Sequence, residues 1–328
     1  MLSFFKSNNP GVVTFYLFYL VAFRVCFAFV PGAAETNLHY HEPLATAIEY
    51  AMGYLQAALI PLLVLGAVLQ FIQAIIINRL VNENKMIARK TYMPGVVFII
   101  LSSFMPAMLL FSQISLALTF LMLATAAVFR LTKKEKAYGD VFDVGFLSSI
   151  AVLIYFPSII LILFAYISLS SLRAFRAREW LAALFGFVTP FFVAFVVFYV
   201  SNATIENFLP AYSLSNTGFS AVQWIQACAL LLCSFGAFVI LPLVLQSTLI
   251  QVRKLTTLLT VLFALLIPAF FLQQQLSLSY LLLLSFPVSV ITSMLLVQFK
   301  NPLVSEVFHL ILILLVLAGQ YLPLFHIL

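Results

Sequence analysis

The residues of this sequence whose types could do chemistry gather near its start. Glu35, His39, His41 and Glu42 lie within one short polar stretch. His39 and His41 with Glu42 offer two imidazoles and a carboxylate to a divalent metal ion. Glu35 or Glu42 could serve as a catalytic base that deprotonates an acceptor hydroxyl. The spacing matches no established metal motif, and a solvated polar loop is the plainer reading. Arg24 precedes this stretch, inside an apolar run. A cation there could meet the phosphate of a substrate from within a helical bundle. It could also snorkel outward over about 9 Å, at ~1.5 Å of rise per residue. Glu206, much later in the chain, could converge on the same space as a second substrate-binding group. Ser201, Asn202 and Asn207 around it also fit an ordinary turn-rich loop.

Other polar residues invite structural readings. Asp140 and Asp143 stand where a helix begins, and carboxylates there favour the positive end of the helix dipole. Gln70, Gln73 and Asn78 recur on one side of an apolar run and suit hydrogen bonds between helices. Cys26, Cys228 and Cys233 all fall in apolar runs, without a Cys-x-x-Cys pair, and read as small core residues. Trp180, Tyr199, Tyr212, Trp224 and Tyr321 fit interfacial aromatic belts.

The elements that must position these groups follow from composition. The chain has 328 residues, 64% of them hydrophobic and 8% charged, with mean hydropathy +1.16. A soluble domain carries about 25% charged residues. No soluble fold could cover so much apolar surface, so the fold class is an all-α polytopic transmembrane bundle in a lipid bilayer. The formal charge of +6 is explained by cations at one membrane face and implies no nucleic-acid partner.

Apolar runs divide the chain into about eleven spans: 12–30, 58–77, 94–111, one beginning near 115 and ending at Arg130, 142–156, 157–172, 180–200, 221–245, 255–272, 280–297 and 304–321. The first resembles a signal peptide, with Lys6 ahead of it, but exceeds the ~7–15 residues of a signal core and reads as an uncleaved span. The fifth and sixth are short for a core of ~30 Å and read as a bent pair around Pro157. With the N-terminus inside and the spans alternating, every one of the 16 Lys and Arg residues except Arg24 falls on the inner side. The positive-inside rule therefore places the N-terminus inside and the C-terminus outside. Two loops without Lys or Arg, 31–56 and 201–220, then face outward. Residues 44–55 could form a helix lying at the interface. The chain reads as one membrane domain. It carries no P-loop, GxGxxG or GxSxG motif and no long repeat.

The punctuation of the mid-chain carries a resemblance. Leu123-Ala124, Arg130-Leu131, Lys133-Lys134-Glu135-Lys136, Phe142-Asp143, Ser149, Ala151, Leu153 and Tyr155 lead to a basic patch, Glu179-Trp180 and Gly186 through Pro190. Together with Phe4-Phe5-Lys6-Ser7-Asn8, this resembles an uncharacterised family of bacterial inner-membrane proteins, which implies multi-pass placement in the cytoplasmic membrane. Some members are named carotene monooxygenases. Such chemistry needs a set of iron-binding histidines, and this chain has four histidines, with His309 and His326 in the last span and the tail.

A broader similarity is to type-C glycosyltransferases, carried by the arginine-bearing first span, the acidic outer loop and the basic patch after a short return. That resemblance implies a polyprenyl-phosphate sugar donor, with Glu35 or Glu42 as the acidic catalytic residue of the first outer loop. The usual Asp-Glu pair and a soluble C-terminal domain are both missing. The alternative from another class is a non-catalytic membrane subunit that holds other membrane proteins in an envelope-assembly or secretion complex. For that role Gly145, Ser148, Ser149 and Ala151 offer a small-residue seam.

Overall fold

The computed structural model describes residues 11–28, 59–133, 137–200, 221–245, 248–273, 276–299 and 302–321. These form eleven α-helices and, among the described residues, no strand. In chain order they are α1 (Val12–Ala28), α2 (Leu59–Glu83), α3 (Met93–Ser102), α4 (Gln113–Arg130), α5 (Tyr138–Ile154), α6 (Ile160–Leu172), α7 (Ala177–Val200), α8 (Ala221–Leu245), α9 (Ile250–Ala269), α10 (Leu282–Gln298) and α11 (Pro302–Tyr321). Seven helical segments are long and apolar enough to cross a membrane, built on α2, α4, α7, α8, α9, α10 and α11. In lipid every backbone polar group must be satisfied internally, which is why most of the apolar runs become helices.

The stretch expected to be a single span over 94–111 takes another form. α3 has 10 residues, about 15 Å at 1.5 Å per residue, half of a ~30 Å core. Beyond it lies irregular backbone around one 3-10 turn, Pro106–Met108. This connection is buried: Phe104, Met105, Met108, Leu109 and Leu110 are all in the core. Pro106 explains the break, since it lacks an N–H and disfavours helix in the residue before it. Helix resumes at Ser112, whose side chain accepts from the Ser115 N–H while Ser115 Oγ accepts from the Ser112 N–H. A second interruption falls where the bent pair was expected. Tyr155 is extended, and a 3-10 turn at Phe156–Ile159 carries Pro157 between α5 and α6.

α10 is the axis of the bundle. Its residues Leu282 to Leu296 are all buried, and α3, α8, α9 and α4 pack around it. α7, by contrast, touches mainly α5. Gly145 of α5 and Gly186 of α7 face each other across that crossing. A Cβ on Gly145 would overlap the Ala183 carbonyl, and one on Gly186 would overlap the Phe142 carbonyl. Two backbones can approach so closely only where both helices lack side chains. Gly145 is therefore spent inside the chain.

Asp140 falls in the first turn of α5, where its carboxylate favours the helix dipole, but neither aspartate is the cap: Ala137 holds that position and makes no side-chain cap. Asp140 and Asp143 also receive Arg130 at 2.8 and 3.2 Å, because a flexible guanidinium from the end of α4 reaches both carboxylates. The cysteine reading changes. Cys228 is exposed and Cys233 half-exposed on α8. An apolar run cannot tell a lipid-facing side from a core-facing one, so these thiols are not core residues.

Candidate functional site

Arg24 sits on α1 and is nearly fully buried. Its Nε donates to the Leu63 carbonyl at 2.8 Å and its Nη1 to the Leu20 carbonyl at 3.4 Å. Nη2 donates to Gln70 Oε1 at 2.9 Å and to the Leu109 carbonyl at 3.0 Å. Every acceptor is neutral, and among the described residues no carboxylate pairs with it. One Nη1 hydrogen is left without an acceptor there. An arginine at the centre of a transmembrane helix costs about 2.5–3.5 kcal/mol on insertion scales. Hydrogen bonds to a charged group return about 1.5–3 kcal/mol each. Two good bonds therefore offset the insertion, while among the described residues no opposite charge meets the guanidinium.

The surroundings explain why those acceptors are available. The break after α3 frees main-chain carbonyls that a continuous helix would have used. Side chains from other helices take them up. Gln70 Nε2 donates to Ser102 at 3.3 Å and to Met108 at 3.1 Å. Gln320, from α11, donates to Ser103 at 3.0 Å. Gly66 lets α2 lie against the Leu109 carbonyl, and the Phe111 N–H donates back to Leu62 at 3.1 Å. Gln73 donates to the Ser115 carbonyl at 2.6 Å and Thr119 at 2.9 Å. The glutamines of α2 thus act between helices, as their spacing suggested. Gln70 acts together with Arg24.

At the opposite end of α1, Asn78 Nδ2 donates to Tyr16 OH at 2.6 Å, and Asn78 Oδ1 accepts the Gly95 N–H at 2.9 Å. Tyr16 in turn donates to the Tyr92 carbonyl. This chain fixes the direction of α1 against α2 and leaves Arg24 beside the start of α2.

Of the residues read in the sequence as catalytic, metal-holding or substrate-binding, Arg24 alone falls in the described structure. Glu35, Glu42, His39, His41 and Glu206 lie outside the described residues. Among the described residues no group of three or more His, Cys, Asp or Glu side chains converges as a metal site.

A model of a family of unknown function, DUF6427, matches residues 50–327. The chain belongs to the DUF6427 family. The match takes in Leu63, Gln70 and Leu109 and begins after Arg24. No curated protein and no solved structure matches this DUF6427 chain.

A second polar contact in this DUF6427 member went unread in the sequence. Tyr19 OH and His309 Nε2 lie 3.0 Å apart where α1 meets α11, and His309 is buried. Its Nδ1 has no partner among the described residues. A histidine midway along an apolar helix was the available signal; its tyrosine partner, 290 positions away, gave none.

Proposed function

We propose that this membrane protein transfers a sugar from a polyprenyl-phosphate donor to a hydroxyl acceptor at the outer face of a bacterial inner membrane. One observation carries the reading: among the described residues, Arg24 is a buried cation held only by neutral acceptors, with one guanidinium hydrogen left over. A donor phosphate would supply the missing negative charge. Arg24 also stands on the helix that leads directly into the stretch bearing Glu35 and Glu42.

In this reading the acceptor oxygen attacks the anomeric carbon. The bond from that carbon to the phosphate oxygen breaks, and polyprenyl phosphate leaves. Glu35 or Glu42 takes the hydroxyl proton. Glu206 orients the sugar, and His39 and His41 are the residues that would hold a divalent ion, whose chemistry would be to neutralise the leaving phosphate. The orientation rests on charge. Contacts from Lys133 to Glu83, Gln251 to Thr132 and Arg130 to Asp140 gather the ends of α2 and α4 with the starts of α5 and α9. Those ends carry Arg79, Arg130, Lys133, Arg253 and Lys254, so the positive-inside rule assigns them to the cytoplasm and Arg24 to the other side.

The test uses the purified full-length chain in nanodiscs with polyprenyl-phosphate sugars and with polyprenyl phosphate alone. Wild-type protein should bind both and release polyprenyl phosphate with an acceptor present. Glu35→Gln or Glu42→Gln should abolish turnover and keep binding, and Arg24→Met should weaken binding at least tenfold. A wild-type chain that binds neither lipid overturns the reading.

One observation favours a second role, that of a non-catalytic subunit in an envelope-assembly or secretion complex. α10 is enclosed over most of its length, and the carbonyls of the break are answered by the chain's own donors. Co-purification of a stoichiometric membrane partner, with no lipid-sugar binding, would support this role.

A further inference from the structure

We propose that the turn between α6 and α7 is a binding site for the headgroup of an anionic phospholipid, with its acyl chain lying along α7. The turn reads Arg173-Ala174-Phe175-Arg176-Ala177-Arg178 and is followed by Glu179 and Trp180. It is held in shape from within. Glu179 is 1% exposed; its Oε2 lies 3.2 Å from Arg173 Nε, and its Oε1 forms a longer ion pair with Arg176 Nη1 at 3.6 Å. The backbone closes around it: the Arg173 N–H donates to Leu169 at 3.0 Å and the Glu179 N–H to Arg176 at 2.9 Å. Among the described residues Glu179 is the carboxylate that holds this turn. Arg173 is sequestered, with its side chain 11% exposed. Arg176, which also reaches toward Glu179, and Arg178 are exposed.

Phe175 sits between them and is 72% exposed. Its ring packs 5.2 Å from Trp180, which stacks at 5.1 Å on Tyr166. Isolated exposed phenylalanines in water are costly; at the end of two apolar helices this ring is at the level where aromatic side chains meet headgroups. Below it, Leu181, Phe185, Val188 and Phe192 form one exposed stripe of α7 at spacings of four, three and four. That stripe runs about 16 Å at 1.5 Å per residue, close to half of a ~30 Å bilayer core. Two outward cations above an apolar track of one leaflet's depth match an anionic headgroup above an acyl chain. The exposed cations at Arg89 and Lys90 are not set around an exposed aromatic ring as Arg176 and Arg178 are around Phe175. They follow α2 in a loop.

The experiment compares full-length protein in nanodiscs of phosphatidylcholine with discs containing phosphatidylglycerol, at one salt concentration. Native mass spectrometry counts retained lipids, and thermal unfolding reads stabilisation. Wild-type protein should retain phosphatidylglycerol over phosphatidylcholine and unfold at a higher temperature when it is present. R176Q/R178Q, and separately F175S, should lower that retention several-fold and remove the shift between the two kinds of disc, while R178Q, which leaves both Glu179 pairs intact, should lower retention and unfold as wild type does in phosphatidylcholine alone. R89Q/K90Q removes the same charge and should leave both readouts intact. Equal loss in R89Q/K90Q, or no loss in any variant, overturns the proposal. So does inorganic phosphate in phosphatidylcholine discs reproducing the stabilisation, because the ligand is then a free anion.

Discussion

Nη2 of Arg24 lies 2.9 Å from Oε1 of Gln70, and the same amide hands two N–H bonds on to the carbonyls of Ser102 and Met108. A cation on α1 and a broken helix two elements later are thereby joined through one side chain of α2. Gln70→Leu keeps the volume and removes all three bonds. It should destabilise the protein by about 1–3 kcal/mol, the cost of leaving buried polar groups unpaired. A double-mutant cycle with Arg24→Met should give a coupling of about 0.5–3 kcal/mol, since the pair shares one network. Reversible unfolding in mixed detergent measures both, and additive effects would show that Arg24 and Gln70 act separately.

The crossing of α5 and α7 should be the least tolerant of added volume. Gly145→Ala or Gly186→Ala forces a methyl onto the Ala183 or Phe142 carbonyl. Each should cost about 1–3 kcal/mol, as overpacking does. Gly236→Ala on α8 meets no atom within 4 Å and should stabilise by about 0.5–1 kcal/mol, through helix propensity. Equal responses at the three positions would mean that α5 and α7 do not approach as described.

Asn78 ties three elements with one amide. Asn78→Leu removes the bond to Tyr16 and the bond from Gly95 and should cost about 2–4 kcal/mol, two buried bonds' worth. Tyr16→Phe also removes two, the bond from Asn78 and the bond to the Tyr92 carbonyl, and should cost a similar amount, about 2–4 kcal/mol. Thermal unfolding reads both, and a Tyr16→Phe variant as stable as wild type would contradict the chain of bonds.

The end of α2 stores a small strain. Lys85 has φ of 49°, and the Met86 N–H reaches back to the Val81 carbonyl at 3.1 Å. That left-handed position favours glycine. Lys85→Gly should raise stability by about 0.5–1 kcal/mol, strain relief of ~1 kcal/mol or more less the entropy of glycine. Lys85→Pro, locked at negative φ, should lower it.

Much of the fold was legible because charges and prolines punctuate apolar runs. α8 begins and ends where its run does, and Ser112 with Ser115 marks the restart of helix at α4. α3 was illegible as a half-helix. Its continuation over 103–111 is as apolar as any span, and burial in protein rather than lipid leaves no compositional trace. Arg24 was visible as a charge in a greasy segment. Its partners were not, because Leu63, Leu20 and Leu109 contribute carbonyls that every residue type possesses. Gln70 was visible as a polar residue able to bridge helices, without any sign that it would pair with α1.

The buried half-helix also sets a schedule for making the protein. α3 enters the membrane early, yet α10 covers it and Gln320 closes the Ser103 carbonyl from 217 positions later in the chain. Until translation is nearly finished, the growing chain holds a polar gap open within the bilayer. Ribosome stalling before α10 would leave that gap uncovered, a ready mark for membrane quality-control proteases.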